Sequence, residues 1–285
     1  MSEILEVVLN LSLYLFVISS MLAMGSNLTV AQIIEPLKNA RLVILALLAS
    51  FVLVPAVAYL INLIFSLDAG VAVGLTIIST AAGAPFLPKL SQAAKGNVAF
   101  SVGLMTLLMI VTVFYMPIVL PLLLQGVTVD ALAIAQSLVI TMIIPLAIGL
   151  FMKARYESAA ASFSPVMSQT STVALGLLMV AGIVLNFSAI VGFIGTGTIL
   201  AILLFLIAAF LIGYFLGGSQ PGIRSVLGLG TAQRNLAASM LVAALNFEDP
   251  TVLLFILVAG LIGLVLLMVI GGELGRRGAA TGASA

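Results

Sequence analysis

The stretch 97–124 runs NVAFSVGLMTLLMIVTVFYMPIVLPLLL without a single charged residue. A soluble helix keeps one polar face, and this stretch has none. At 1.5 Å of rise per residue, about 20 apolar residues cross the hydrocarbon of a bilayer. Nine segments of the chain are apolar over such a length: 7–25, 42–65, 70–93, 97–124, 131–153, 165–187, 190–216, 222–246 and 251–272. Barrel strands would alternate over about ten residues, so runs this long mean helices. Only 7% of the 285 residues are charged, against about 25% in soluble domains. The expected fold class is an all-α integral membrane protein with nine transmembrane helices.

Composition excludes several functions. With no Cys and no His, the usual transition-metal and thiolate ligands are missing, so no metal site or cofactor is expected. No basic run points to nucleic acid. A membrane-embedded enzyme fares poorly, because no predicted core carries a His, Cys or carboxylate for acid–base work. The first apolar run follows Glu3 and Glu6 rather than a basic region, which marks a retained helix rather than a signal peptide. The last residues, 275–285, are small and polar and read as a disordered cytoplasmic tail, leaving 1–274 as one transmembrane domain.

Nine crossings put the termini on opposite sides. Lys38, Arg41, Lys95, Lys153, Arg155, Arg224, Arg276 and Arg277 then share one side, while Glu3, Glu6, Asp68, Asp130, Glu248 and Asp249 share the other. The positive-inside rule makes the first side cytoplasmic and the N-terminus external. The expected place is a bacterial inner or plasma membrane, crossed many times.

Two of the nine segments are interrupted. In 70–94 the apolar run gives way to Ala82-Gly83-Ala84-Pro85-Phe86-Leu87-Pro88-Lys89. In 222–246 it gives way to Gly228-Leu229-Gly230-Thr231-Ala232-Gln233-Arg234-Asn235. Setting 131–153 apart as an extra helix leaves four spans on either side, and the third of each four is the broken one. The approximate units 7–124 and 131–272 enter the membrane from opposite sides, the arrangement of inverted-repeat transporters whose sites lie at broken helices.

Each break yields half-helices with ends inside the membrane. Their N-terminal ends favour anions and their C-terminal carbonyls favour cations. Lys89 and Arg234 are the charges farthest from loops, and no carboxylate lies in a predicted core to pair with them. Arg234 has two readings: it binds or gates an anion, or it caps the inward carbonyls as a fixed cation. Lys89 either faces the site or snorkels to the cytoplasmic surface. Gln233, Asn235 and Thr231 share the second break with Arg234. Ser101, like Thr76, Ser79, Thr80 and Thr106, sits on the partner segments, where bonding to its own backbone is the ordinary role.

The stretches Ala94-Lys95-Gly96-Asn97-Val98-Ala99-Phe100-Ser101-Val102 and Gln233-Arg234-Asn235, with the nine-span N-outside plan, resemble the bile acid:sodium symporter family. The resemblance implies a panel domain, a core domain in which the two discontinuous helices cross, and alternating-access transport of organic anions. This chain departs from the sodium-coupled members. Where they carry a Glu four residues before Gln-Asn, it has Gly230, Arg234 and Asn235. Their Pro-Gly-Gly break is replaced by the alanine- and proline-rich one that precedes Lys89, and Met105 stands at a Thr position, while Ser101 matches. The expectation is a secondary carrier of a small organic anion, independent of Na⁺, with Arg234, Asn235, Gln233, Thr231, Lys89 and Ser101 at the substrate site. A sodium-coupled organic anion symporter is the alternative; a channel or membrane-embedded sensor is more distant.

Overall fold

The computed structural model describes residues 2–34, 38–124, 130–185 and 187–282; residues 283–285 and the side chains of Glu3 and Glu6 lie outside them. No strand occurs among the described residues. Seven helices are long and apolar enough to cross a membrane: Val7–Asn27, Ala40–Phe65, Val98–Leu123, Ala131–Arg155, Glu157–Leu185, Thr198–Leu216 and Pro250–Arg277. The last is part of a longer helix, Pro250–Gly282. The protein is thus an all-helical, multi-pass membrane protein. Between the long helices stand two pairs of shorter ones, Ala69–Thr80 with Leu87–Ala93 and Pro221–Ala232 with Leu236–Asn246. These are the two segments with glycine- and proline-rich middles.

The helices sort into two packing groups. Ser2–Asn27 lies along both Glu157–Leu185 and the second half of Ala131–Arg155. Close approach there depends on two glycines. A Cβ on Gly25 would stand 3.0 Å from the Gly149 Cα, and one on Gly149 would stand 2.8 Å from the Ser26 nitrogen. Where lipid removes the hydrophobic drive between helices, such small-residue contacts are what lets backbones gain dispersion energy. In the second group, both pairs of short helices pack with Val98–Leu123 and Pro250–Gly282; the first pair also packs with Ala40–Phe65 and the second with Thr198–Leu216. Helix Leu236–Asn246 and the first half of Ala131–Arg155 connect the groups.

Expected spans and observed helices agree within a few residues apart from three places: the helix expected from 165 begins at Glu157, the one expected to end at 272 continues to Gly282, and one division moves. The division expected at 187–190 falls later: Phe187–Gly192 is a short helix, and Thr198–Leu216 begins after a turn with Gly195 at φ 98 and Gly197 at φ 79. Phe193 and Ile194 keep the turn apolar, so hydropathy alone does not separate it from the following helix.

Two of the long helices widen before a proline in the same way. Pro55 has no N–H to return to the Phe51 carbonyl, and the preceding residues 49–53 widen into a π-turn in which the Val54 N–H reaches Ala49. Pro145 follows a matching π-turn at 139–143.

Candidate functional site

The first break begins where Ala81 turns extended, at φ −96 and ψ 103, and ends helix Ala69–Thr80. Gly83 then takes φ +80 and lies directly on the backbone of Met105 and Met109, where a Cβ would have no room. Pro88 sits in the first turn of Leu87–Ala93, where the absent N–H costs nothing. The Thr112 hydroxyl serves the buried backbone of Ala82 twice: it accepts from the Ala82 N–H at 2.9 Å and donates to the Ala82 carbonyl at 3.0 Å. One side chain satisfies both polar groups that the break removes from a helical ladder.

The second break is shorter. Gln233 is extended after Ala232, and Asn235 starts the next helix, its Oδ1 accepting from the Ala238 N–H at 3.1 Å. The two breaks meet. The Asn235 N–H donates to the Ala81 carbonyl at 2.9 Å, and its Nδ2 donates to the Gly83 carbonyl at 3.2 Å. Segments more than 150 residues apart in sequence are therefore joined through their irregular backbone.

Arg234 lies inside this junction, 4% exposed. Its Nε donates to the Ile78 carbonyl at 3.1 Å, its Nη1 to Thr231 at 3.1 Å, and its Nη2 to Ser50 at 3.3 Å and to Ser79. Ile78 and Ser79 end one half-helix and Thr231 ends the other, so the guanidinium caps two helix C-termini at once. Each such end carries roughly half a negative charge, so together they offset one cation without a carboxylate. The ion pairs among the described residues, Lys153–Glu157 and Glu273 with Arg276 and Arg277, are all elsewhere.

Ser50 is available because of Pro55. In an unbroken α-helix the Ser50 carbonyl would accept from Val54, whose N–H instead goes to Ala49. The neighbouring Phe51 carbonyl, without a donor at Pro55, accepts from the Tyr115 hydroxyl at 2.5 Å. The π-turn thus supplies one acceptor to Arg234 and one to Tyr115. Sequence reasoning missed Ser50, Thr112 and Tyr115; the signal for the first was Pro55 inside an apolar run.

The remaining expected residues divide. Thr231 Oγ1 and Gln233 Oε1 are buried beside Arg234 without a partner among the described residues, as is Ser50 Oγ. Asn235 is committed at both ends of its amide to backbone. Ser101 is buried and donates to the Val98 carbonyl of its own helix at 2.6 Å. Lys89 is exposed rather than part of the buried cluster, with its Nζ 5.5 Å from the centre of the Phe86 ring. Gly230, one turn before Arg234, leaves no space: a Cβ there would stand 2.9 Å from Leu87 Cδ2 and 3.2 Å from Leu104 Cδ2.

Two breaks bonded to each other lie buried among apolar helices, and the residue pattern decides the family. Residues 14–193 match the model of the Sodium Bile acid symporter family. The chain belongs to that family. Similar curated members are the probable sodium/metabolite cotransporter BASS3, chloroplastic, of Arabidopsis thaliana, 27% identical over 205 residues that make up 72% of this chain and 47% of the relative. BASS1, chloroplastic, from the same plant is 26% identical over 81% of this chain and 58% of the relative. BASS2, chloroplastic, of Oryza sativa subsp. japonica is 26% identical over 81% of this chain and 56% of the relative. The chain spans about half the length of these family members. The family match includes the first break and stops short of the second, so Arg234 lies beyond the matched stretch.

Proposed function

We propose that this protein is a secondary transporter that moves a small organic anion across its membrane by alternating access, without Na⁺. One observation carries the reading: a buried guanidinium, without a carboxylate partner among the described residues, occupies the carbonyl acceptors where the broken helices meet. It offsets the two inward C-termini, and the N-termini of Leu87–Ala93 and Leu236–Asn246 then leave the junction positive on balance. An anion is the substrate such a place attracts. Arg234 supplies the field, Thr231 and Gln233 offer free polar atoms, and Lys89 adds a second cation at the exposed edge. Asn235 and Ser101 hold the backbone that shapes the site.

In this reading the chain crosses nine times, counting each broken pair once, as an inverted repeat with the N-terminus outside. The group built on Ser2–Asn27 acts as the panel, and the group holding both breaks acts as the core. The fixed cation stands in for sodium. Leu87 and Leu104 fill the space where a side chain at position 230 would reach. The relatives' names, which read sodium/metabolite cotransporter, favour a second reading: a Na⁺ symporter whose ion is held by backbone carbonyls and hydroxyls.

The test is uptake of labelled carboxylates and sulfonates into proteoliposomes, with Na⁺ replaced by K⁺ or choline. Saturable uptake that persists in all three salts is expected. Uptake only with Na⁺ would establish the symport reading instead, and single-channel conductance would replace both with a channel.

A further inference from the structure

Away from the crossing, a cavity of about 910 Å³ opens between the start of Ala40–Phe65, the start of Val98–Leu123 and the 216–223 connection. Lys38 and Arg41 line it, and neither has a carboxylate partner among the described residues. The first turn of the 26-residue helix Val98–Leu123 forms another wall. Asn97 satisfies the Phe100 N–H with its side chain at 2.9 Å and the Ser101 N–H with its carbonyl at 3.0 Å. The Val98 and Ala99 N–H groups find no acceptor among the described residues, and both residues line the cavity. Gln220, at the start of Pro221–Ala232, lines the same space. Below these polar groups the lining turns apolar, with Leu45, Phe100 and Ile223.

We propose that this cavity is a second anion site, distinct from the crossing, which takes the phosphate group of an organic phosphate. Two cations and two free main-chain N–H groups are more donors than the two oxygens of a carboxylate absorb, and they suit the three outward oxygens of a phosphate. The volume lies within the range of about 300–1,000 Å³ that holds a whole small ligand. The apolar floor accepts the organic part. The phosphate belongs either to a soluble ester or to an anionic lipid whose headgroup reaches in from the membrane edge. The proposal does not depend on the transport reading.

Thermal unfolding of the full chain tests it in two arms: in neutral detergent with glycerol 3-phosphate, and in nanodiscs of phosphatidylcholine with or without phosphatidylglycerol. Saturable stabilisation in the first arm identifies a soluble ester, and stabilisation by phosphatidylglycerol alone identifies a lipid headgroup. In whichever arm responds, the double variant K38Q/R41Q weakens the effect by about tenfold or more. The double variant K153Q/R155Q, which removes the same charge elsewhere, leaves it unchanged. Both K38Q and R41Q alter exposed side chains, and matching unfolding temperatures without ligand confirm that the fold is intact. No stabilisation in either arm, or equal loss in both double variants, overturns the proposal.

Discussion

The two breaks are complementary rather than alike. The first, 81–86, is longer, has no charged side chain, and presents carbonyls: Ile78 and Ser79 at its edge, Ala81 and Gly83 within it. The second is a two-residue interruption followed by Asn235, and it presents donors: the Arg234 guanidinium, the Asn235 main-chain N–H and the Asn235 amide. A broken helix inside a membrane frees both donors and acceptors, and each must be satisfied by protein or water. Here one break answers the other. Most of the freed carbonyls of the first are taken by the second, and Thr112 takes the Ala82 peptide. The difference teaches that the cation at the crossing is a structural partner of the backbone first. With four of the five guanidinium N–H groups taken by backbone, any attraction for a substrate acts chiefly through its field.

Removing the donor side should cost most. Arg234→Leu leaves buried carbonyls of Ile78, Ser79, Ser50 and Thr231 unanswered, at about 1–3 kcal/mol for each group that stays unsatisfied. A loss of at least about 3 kcal/mol in detergent unfolding is expected, with Arg234→Lys intermediate. A variant as stable as wild type would break the comparison.

On the acceptor side, Gly83→Ala forces a side chain into φ +80 against the Met105 and Met109 backbone, for an expected loss of about 2–3 kcal/mol. Amide exchange in 81–86 should rise with it, and unchanged exchange would place the strain elsewhere.

The single bridges should cost less. Asn235→Ala loses a helix cap and the bond to Gly83, and Thr112→Val loses both bonds to Ala82; about 1–2 kcal/mol is expected for each. Because both brace the same loop, the double variant should fall short of or exceed the sum by about 0.5 kcal/mol or more. Strict additivity would mean that the two braces act independently.

Lys89→Gln should be the mildest, within about 0.5 kcal/mol, since the side chain is exposed. A reduced affinity for anions in uptake, with stability intact, would sharpen its role at the edge of the site.

Hydropathy in the sequence carries the membrane character, the long helices and both interruptions, because lipid imposes length and composition directly. It also singles out Arg234, since a buried charge in an apolar run has few explanations. The capping reading, open beside anion binding in the sequence, describes the bonds to Ile78, Ser79 and Thr231 but not the one to Ser50. What lay hidden were its partners. Main-chain carbonyls look the same at every residue, and only Pro55 hints that Ser50 has one to spare. Thr112 and Tyr115 sit on an apolar helix where a hydroxyl usually bonds to its own backbone, so their long-range roles depend on packing. Lys38 and Arg41 read in the sequence as markers of the cytoplasmic side; their shared cavity with the Val98–Leu123 helix needs the three-dimensional arrangement.

The claim at the centre is that a tethered guanidinium holds the place of a mobile cation. It is tested most directly by titrating the purified wild-type protein with NaCl against choline chloride at constant ionic strength and following its unfolding temperature. The account predicts the same curve in both salts. Saturable stabilisation by Na⁺ alone would contradict it.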